Sequence, residues 1–238
     1  MTSAPSGTGT GSPSDAELGP LLERLYRRRF SETDKAEMAV VWRVLVRDFF
    51  QKRIDPASTV LDLGAGSCLF INEVRAARRI ALDANPELPR HAAAGVETIV
   101  TDDLSLRQIP PGSIGCVFVS NFLEHLEDHL AVLRLMGAVH RVLRPGGSLL
   151  VLQPNFRLEP RRYFDFLDHR VILTDASLRE ALEVAGFRVA EMRARFLPFT
   201  SKSRVPKWEW AVRLYLLLRP AQWLLGRQTF AHAIKDAP

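Results

Sequence analysis

Nine residues that start at position 60 constrain the fold more than any other part of the chain. They read Val-Leu-Asp-Leu-Gly-Ala-Gly-Ser-Cys, an apolar strand followed directly by a glycine turn. Such a turn lets the backbone approach a ligand closely at the end of a strand. It does not match the dinucleotide fingerprint, because Leu69 replaces the third glycine and Asp62 would repel a pyrophosphate. A carboxylate at this point favours a cationic ligand.

Two further predicted strands also end in acidic residues. Asp83 follows Gly64 by nineteen residues, where a carboxylate can accept hydrogen bonds from both hydroxyls of a ribose. Asp102 and Asp103 end the next strand, and a carboxylate there can accept from the exocyclic amine of an adenine. These acidic strand ends predict a ligand with an adenosine and a positive charge but no phosphates, a description that fits S-adenosylmethionine.

Short apolar runs alternate with amphipathic stretches after residue 58, which is typical of βα units and a mostly parallel sheet. We predict seven strands, over Thr59–Leu63, Ile80–Asp83, Glu97–Thr101, Cys116–Ser120, Ser148–Leu152, Phe187–Phe196 and Gln228–Ile234. We predict helices between them, over Leu69–Ala77, Glu87–Ala94, Leu130–Val142 and Thr174–Ala185, the last with Thr174 as its N-cap.

The segment before the first strand divides into two parts. Residues 1–14 are almost wholly Ser, Thr, Gly, Pro and Ala, and we expect a disordered tail because they cannot bury enough apolar surface. Residues 15–56 carry helical apolar stripes and predict an N-terminal helical cap. The two cysteines, Cys68 and Cys116, form neither a disulfide framework nor a zinc pattern. With no secretory signal in view, we expect a cytoplasmic protein.

The motifs, taken in order, resemble those of class I S-adenosylmethionine-dependent methyltransferases with small-molecule acceptors. The resemblance covers roughly residues 58–196 and 228–235 and rests on the glycine turn, Asp83, Thr101–Asp103, Ser120–Leu126, Leu143–Ser148 and Leu178–Val189. It implies a Rossmann-like α/β domain over residues 57–238. The implied sheet has seven mostly parallel strands with an antiparallel last strand and helices on both faces. The sequence itself adds a helical insertion over residues 197–227.

The resemblance also implies a role for each residue at the ends of the strands. The implied cofactor contacts are Asp62, Gly64, Ala65 and Gly66 at the methionine part, Asp83 and Ala84 at the ribose, Asp102 or Asp103 with Leu104 at the adenine, and Asn121 nearest the sulfonium. Cys68 departs from the family, which often has a third glycine there. The side chain narrows the freedom of the turn, but we still expect S-adenosylmethionine to bind.

His125 is the candidate catalytic residue. It follows the fourth predicted strand, where an acceptor approaches, and could take a proton from a hydroxyl as general base. The alternative is a histidine that packs beneath the cofactor. Glu124-His125 also resembles the E-x-x-E-H metal motif of some O-methyltransferases, but Asn121 replaces the first Glu. Although His129 or His169 could supply a ligand, we predict no metal site.

These observations predict an enzyme that transfers a methyl group from S-adenosylmethionine, leaving S-adenosylhomocysteine. The expected acceptor is a small molecule, free or linked to a lipid or sugar, and the expected atom is a hydroxyl oxygen. The alternative is a catalytically idle fold that binds the cofactor as a scaffold or regulatory protein. A nicotinamide dehydrogenase is disfavoured by Leu69 and Asp62.

The basic charge of the chain is concentrated near its end. Residues 188–238 hold ten Lys and Arg against three Asp and Glu, whereas the rest holds 22 against 24. Residues 197–227 exceed the short connection that the fold needs. Within residues 202–225, Lys202, Arg204 and Lys207 precede a helix rich in Trp and Leu. The pattern predicts a lid or homodimer face, or alternatively a helix in a membrane interface; we expect no nucleic-acid binding.

Overall fold

The computed structural model describes residues 32–198 and 207–237, with side chains from residue 36 onwards. The chain forms two compact units, Met1–Glu37 and Met38–Pro238. Within the first unit, the described residues form only the start of one helix. The predicted tail over residues 1–14, the first part of the predicted cap, Lys202 and Arg204 lie outside the described residues.

A seven-stranded sheet organises the second unit. Its strands are β1 (Thr59–Leu63), β2 (Arg78–Asp83), β3 (Val96–Val100), β4 (Ile114–Ser120), β5 (Leu143–Pro154), β6 (Phe187–Arg193) and β7 (Gln228–Lys235). The order is β3-β2-β1-β4-β5-β7-β6. Strands β1 to β5 run parallel, and β7 is antiparallel to both of its neighbours. The predicted mostly parallel sheet with an antiparallel last strand is therefore confirmed.

Six α-helices lie within the described residues. They are α1 (Glu32–Leu45), α2 (Leu88–His91), α3 (His129–Val142), α4 (Asp175–Val184), α5 (Glu209–Leu217) and α6 (Arg219–Leu225). Thr174 caps α4 as predicted, in a capping box with Ser177. Helices α5 and α6 form the predicted insertion between β6 and β7. Among the described residues, no helix has the length and apolar character needed to cross a membrane.

The helix predicted over Leu69–Ala77 is wrong, because residues 69–73 form hydrogen-bonded turns and residues 74–76 have no regular structure. The N–H of Ile71 interacts with the buried carboxyl of Asp62. The N–H of Arg75 donates to the side-chain oxygen of Gln51 over 2.8 Å, and the Gln51 amide donates back to the Arg75 carbonyl over 3.0 Å. Side chains from other elements therefore take backbone groups that a helix would use.

Each face of the sheet buries its own hydrophobic cluster. Along β1, Leu61 and Leu63 belong to the cluster packed against α3 and α4, while Val60 belongs to the cluster packed against α1 and α5. This alternation follows from the two-residue period of a strand. The sheet is therefore covered on both sides, with its strand ends left to form a site.

An aromatic cluster joins the segment after α1 to the sheet. Helix α1 continues into a π-helical turn over Val46–Phe50, which carries the fully buried Phe50. The Phe50 ring lies 5.0 Å from that of Phe118 in β4 and 5.8 Å from that of Phe230 in β7, between centroids. Aromatic burial of this kind stabilises both elements that it joins.

Phe50→Ala tests this junction. Truncation of a buried phenylalanine removes its contacts and leaves a cavity, so we expect a loss of about 3–5 kcal/mol in the free energy of unfolding. Urea denaturation measures it. Phe164→Ala, at an exposed phenylalanine, is the control and should stay close to wild type.

Candidate functional site

The glycine turn after β1 is held against the end of β2. The N–H of Gly64 donates to the Leu82 carbonyl over 2.8 Å, and that of Gly66 donates to the Asp83 carboxylate over 2.8 Å. Gly64 has a φ of +72°. A Cβ at Gly64 would lie 2.3 Å from Cδ2 of Phe122. Only glycine fits between this ring and the left-handed backbone.

Two carboxyl groups flank the turn. Asp62 is only 3% exposed, and burial together with the negative charge of Asp83 raises the pKa of Asp62 to about 8. Asp83 is half-buried and also accepts from the N–H of Asn85 over 2.8 Å. The end of β1 is thus poorly solvated and holds two carboxyl groups that oppose each other's ionisation, so a positively charged ligand would be favoured there.

The turn after β3 distinguishes its two aspartates. Asp103 accepts from the N–H of Ser105 over 2.9 Å, and hydrogen bonds from Ser105 hold the pKa of Asp103 below its usual range. Asp103 therefore shapes the turn, and both aspartates are exposed. Leu104 is half-buried and Ala84 is exposed. The Asp103 carboxylate is partly used by the turn, which favours Asp102 as the candidate for the adenine.

Asn121 leaves β4 in a left-handed conformation, with a φ of +48°. Its N–H donates to the Leu152 carbonyl over 2.8 Å, and its side-chain amide donates to the Ser120 hydroxyl over 3.1 Å. The residue is exposed at the point where the chain order of the sheet reverses. Ligands of open α/β sheets bind at this point.

His125 pairs with a residue distant in sequence. Its Nδ1 lies 3.1 Å from the carbonyl oxygen of Asp168 and 3.4 Å from a carboxylate oxygen of the same residue. The pairing depends on the Glu124 carbonyl, which accepts from the N–H groups of Arg170 and Val171 over 2.8 and 3.1 Å. The sequence showed each histidine and aspartate of this region but not which of them would meet.

Glu124 is a further candidate site residue, which the sequence showed only as part of the Glu124-His125 pair. It is 2% exposed, and its Oε2 has no hydrogen-bond partner in the described part of the chain. Burial, with a smaller effect of the Asp168 charge, raises the pKa of Glu124 to about 8. Ligand atoms of Glu124, His125 and His169 lie within 4.8 Å of one another. These three residues could hold a metal ion, so the expectation of no metal stays a prediction.

Comparisons with known proteins agree with this architecture. A family model described as a methyltransferase domain matches residues 33–192, more than half of the 238 residues. Ubiquinone biosynthesis O-methyltransferases from three strains of Xanthomonas campestris pv. campestris are 34% identical over 106 residues, which is 40% of this chain and 43% of each relative. The match thus spans less than half the length of these curated relatives.

Solved structures share the fold at low sequence identity. An S-adenosylmethionine-dependent methyltransferase from Archaeoglobus fulgidus aligns with a TM-score of 0.63 at 18% identity, covering 90% of this chain and 99% of that one. A chain from the complex of the Haloferax volcanii Trm112 methyltransferase activator with a methyltransferase aligns with a TM-score of 0.62 at 16% identity, covering 87% and 94%.

Glu124→Gln tests the effect of the buried carboxyl on stability. The pKa of Glu124 in the folded protein, about 8, exceeds its ordinary value of 4.5, so the unfolded chain releases a proton that the folded chain keeps. This group therefore lowers the stability of the wild type as pH rises from 4.5 to 8, by about 1.4 kcal/mol per pH unit. We expect the variant to lose less stability over this range in urea denaturation. Glu127→Gln, at an exposed position, should keep the wild-type slope; equal slopes for both variants would contradict the assignment.

Proposed function

The chain belongs to the methyltransferase domain family, and we propose that it transfers the methyl group of S-adenosylmethionine to a hydroxyl oxygen of a small-molecule acceptor. The acceptor is free or linked to a lipid or sugar. The observation that carries the proposal is the glycine turn with Asp62 beneath it and Asp83 beside it. Cys68 and Cys116 are both free and buried, which suits a reducing compartment and supports a cytoplasmic location for the protein.

The described residues fit this cofactor. When bound, S-adenosylmethionine supplies a methyl group on a positively charged sulfur. Asp83 uses its two carboxylate oxygens for two backbone N–H groups, and each oxygen has a second lone pair for a ribose hydroxyl. Asp102 accepts from the adenine amine, and the N–H of Leu104 donates to the adenine ring. Ala84 and Asn121 border the ligand, and the backbone of Gly64, Ala65 and Gly66 contacts its methionine part.

Asp62 contributes through its charge. In the ligand-free protein its raised pKa leaves much of it neutral at pH 7. A cation over the turn stabilises the carboxylate and lowers its pKa, so that the ligand and the ionised form of Asp62 favour each other. This coupling selects a cationic ligand and disfavours a pyrophosphate.

His125 takes the proton of the acceptor hydroxyl. Because Nδ1 faces the Asp168 carbonyl over 3.1 Å, the neutral ring carries its proton on Nδ1 and leaves Nε2 able to accept. The bond from sulfur to methyl breaks as the bond from oxygen to methyl forms. His125 receives the hydroxyl proton, and Asp168 stabilises the resulting imidazolium.

The names of the curated relatives support oxygen as the methylated atom, since each is called an O-methyltransferase of ubiquinone biosynthesis. Asp168 and His169 lie beside His125, and we assign this side of the site to the acceptor.

Asp83→Ala tests the cofactor site. Loss of a charged acceptor that meets two ribose hydroxyls should weaken S-adenosylhomocysteine binding by at least about tenfold, since such bonds contribute about 1.5–3 kcal/mol each. Calorimetry measures the affinity, and thermal unfolding checks the fold. Asp103→Asn is the control, because asparagine can still accept from the Ser105 N–H. Wild-type affinity in a folded Asp83→Ala protein would remove this residue from the site.

His125→Gln tests the chemistry. Loss of a general base should lower kcat by about 100-fold or more, while S-adenosylhomocysteine binding stays unchanged. The assay follows radiolabelled methyl transfer to phenols with and without an isoprenoid tail. His129→Gln, an exposed histidine four residues away, should keep wild-type activity.

An assay with a chelator distinguishes a catalytic base at His125 from a metal site. If His125 acts as a base, activity persists in EDTA. Loss of activity in EDTA with recovery on adding a divalent cation would show instead that Glu124, His125 and His169 act as ligands. Binding of S-adenosylhomocysteine without methyl transfer to any acceptor would favour the idle scaffold.

A further inference from the structure

The insertion between β6 and β7 carries a dense group of exposed apolar side chains. Trp208, Trp210 and Trp223 are 64%, 62% and 68% exposed, and Leu217 is 79% exposed. We call this group the Trp–Leu face; its members are Trp208, Trp210, Leu214, Leu217, Leu218, Trp223, Leu224 and Leu225. Soluble proteins rarely expose so many large apolar side chains together unless the surface has a partner.

Helix α5 is apolar on two opposite sides. Val212 and Tyr215 are buried, and the Tyr215 hydroxyl donates to the Phe196 carbonyl over 2.7 Å. Trp210, Leu214 and Leu217 follow the i, i+4, i+7 spacing of the other side and stay exposed. The helix is therefore anchored to the domain by one apolar side and presents a second.

Hydrogen bonds hold helix α6 against α5. The buried side chain of Gln222 donates to the carbonyls of Tyr215 and Leu216 over 3.3 and 2.9 Å. A Cβ at Gly226 would lie 2.4 Å from the Gln222 carbonyl oxygen. The backbone after α6 therefore packs closely against the last turn of that helix. Hydrogen bonds and close packing therefore hold the two helices that carry the Trp–Leu face.

The charge left over around this face is positive. No acidic residue occurs between Trp210 and Lys235. Arg213 and Arg227 pair with carboxylates outside the insertion, over 3.2 and 3.5 Å, whereas Arg219 forms no ion pair among the described residues. The Arg195 guanidinium lies 5.6 Å from the Trp223 ring centroid and donates to the Trp223 carbonyl over 3.1 Å. Glu209, at the start of α5, is paired with an arginine outside the insertion over 2.7 Å.

We propose that the Trp–Leu face binds the interface of an anionic lipid bilayer, with α5 and α6 lying along its surface. Helices of nine and seven residues are too short to span a bilayer, but tryptophans beside arginines suit the headgroup region. The cations add attraction to anionic lipids.

A second copy of the chain fits this face less well. In a twofold dimer the same patch meets itself, so Arg219 would be buried against a patch whose carboxylate, Glu209, is already paired. A buried charge without a partner is costly, whereas an anionic headgroup neutralises it. The charge therefore favours a lipid surface.

The position of the insertion connects this surface with the site. Strand β6 runs in the same direction as β5, because β7 is antiparallel to both. The insertion therefore leaves the sheet at the edge where the glycine turn and Asn121 lie. If the protein binds a membrane through its Trp–Leu face, the edge of the sheet with the glycine turn lies near a lipid-linked acceptor. This consequence rests on the proposed function, whereas the proposal of lipid binding is independent of it.

Sedimentation with vesicles tests the proposal without cofactor or acceptor. The full chain should sediment with vesicles of phosphatidylglycerol and phosphatidylcholine in equal parts, and much less with phosphatidylcholine alone. Trp210→Glu with Leu217→Glu should weaken binding by about tenfold or more, since it removes apolar area and adds repulsion. Arg219→Gln should weaken binding to the anionic vesicles only, and most at low salt.

Leu130→Glu with Val184→Glu is the matched control, because both residues are exposed elsewhere on the domain. It should bind vesicles like the wild type. Thermal unfolding and S-adenosylhomocysteine binding of each variant report the fold and the cofactor site separately from lipid binding.

Two results would overturn the proposal. One is no vesicle binding by the wild type, or equal binding to both vesicle types. The other is vesicle binding that survives Trp210→Glu with Leu217→Glu in a folded protein. A dimer that this double variant splits, measured by analytical ultracentrifugation with no vesicle binding, would assign the face to a second copy.

Discussion

The burial of Asp62 beneath the glycine turn is the constraint on which the rest of the site depends. Asp62 lies in β1, between β2 and β4, and its buried carboxyl interacts with the N–H of Ile71 after the turn. One strand away, Asp83 receives the N–H of Gly66. The two carboxyl groups oppose each other's ionisation where little water can screen them. Under the proposed function, a cationic ligand relieves this repulsion, whereas a phosphate would increase it.

The opposite side of the site is organised by a peptide group. The Glu124 carbonyl binds two backbone N–H groups of the segment around Arg170, and this contact brings Asp168 to His125 across 43 residues of sequence. The Glu124 side chain lies buried beside the histidines. Because the pKa of Glu124 is raised, protein stability depends on pH through a group that lies beside the proposed proton acceptor, His125.

The sheet sets the positions of the glycine turn, the His125 region and the insertion. Parallel strands place the glycine turn, Asp102 and Asn121 at one edge, and the direction of β6 brings the chain back to that edge before α5 begins. An aromatic cluster around Phe50 holds the segment after α1 on one face of the sheet, together with the buried side of α5. The elements that would contact a cofactor, an acceptor and a lipid surface therefore share one scaffold, and packing on the sheet rather than flexible linkage sets their spacing.

Local patterns determined the seven strands, the glycine turn, the acidic strand ends and the Thr174 cap, because two-residue periodicity, glycine conformation and capping depend on neighbouring residues alone. Contacts between distant residues decided the rest. Turns over residues 69–73 stand where a helix was predicted, and beyond them Gln51 takes the N–H of Arg75. The pairing of His125 with Asp168 depends on which groups the fold brings within hydrogen-bond distance. The sequence showed that residues 208–225 are apolar and basic, but only the tertiary structure decided that Val212 and Tyr215 face the core while Trp210 and Leu217 face outward, since burial is a property of the packed chain.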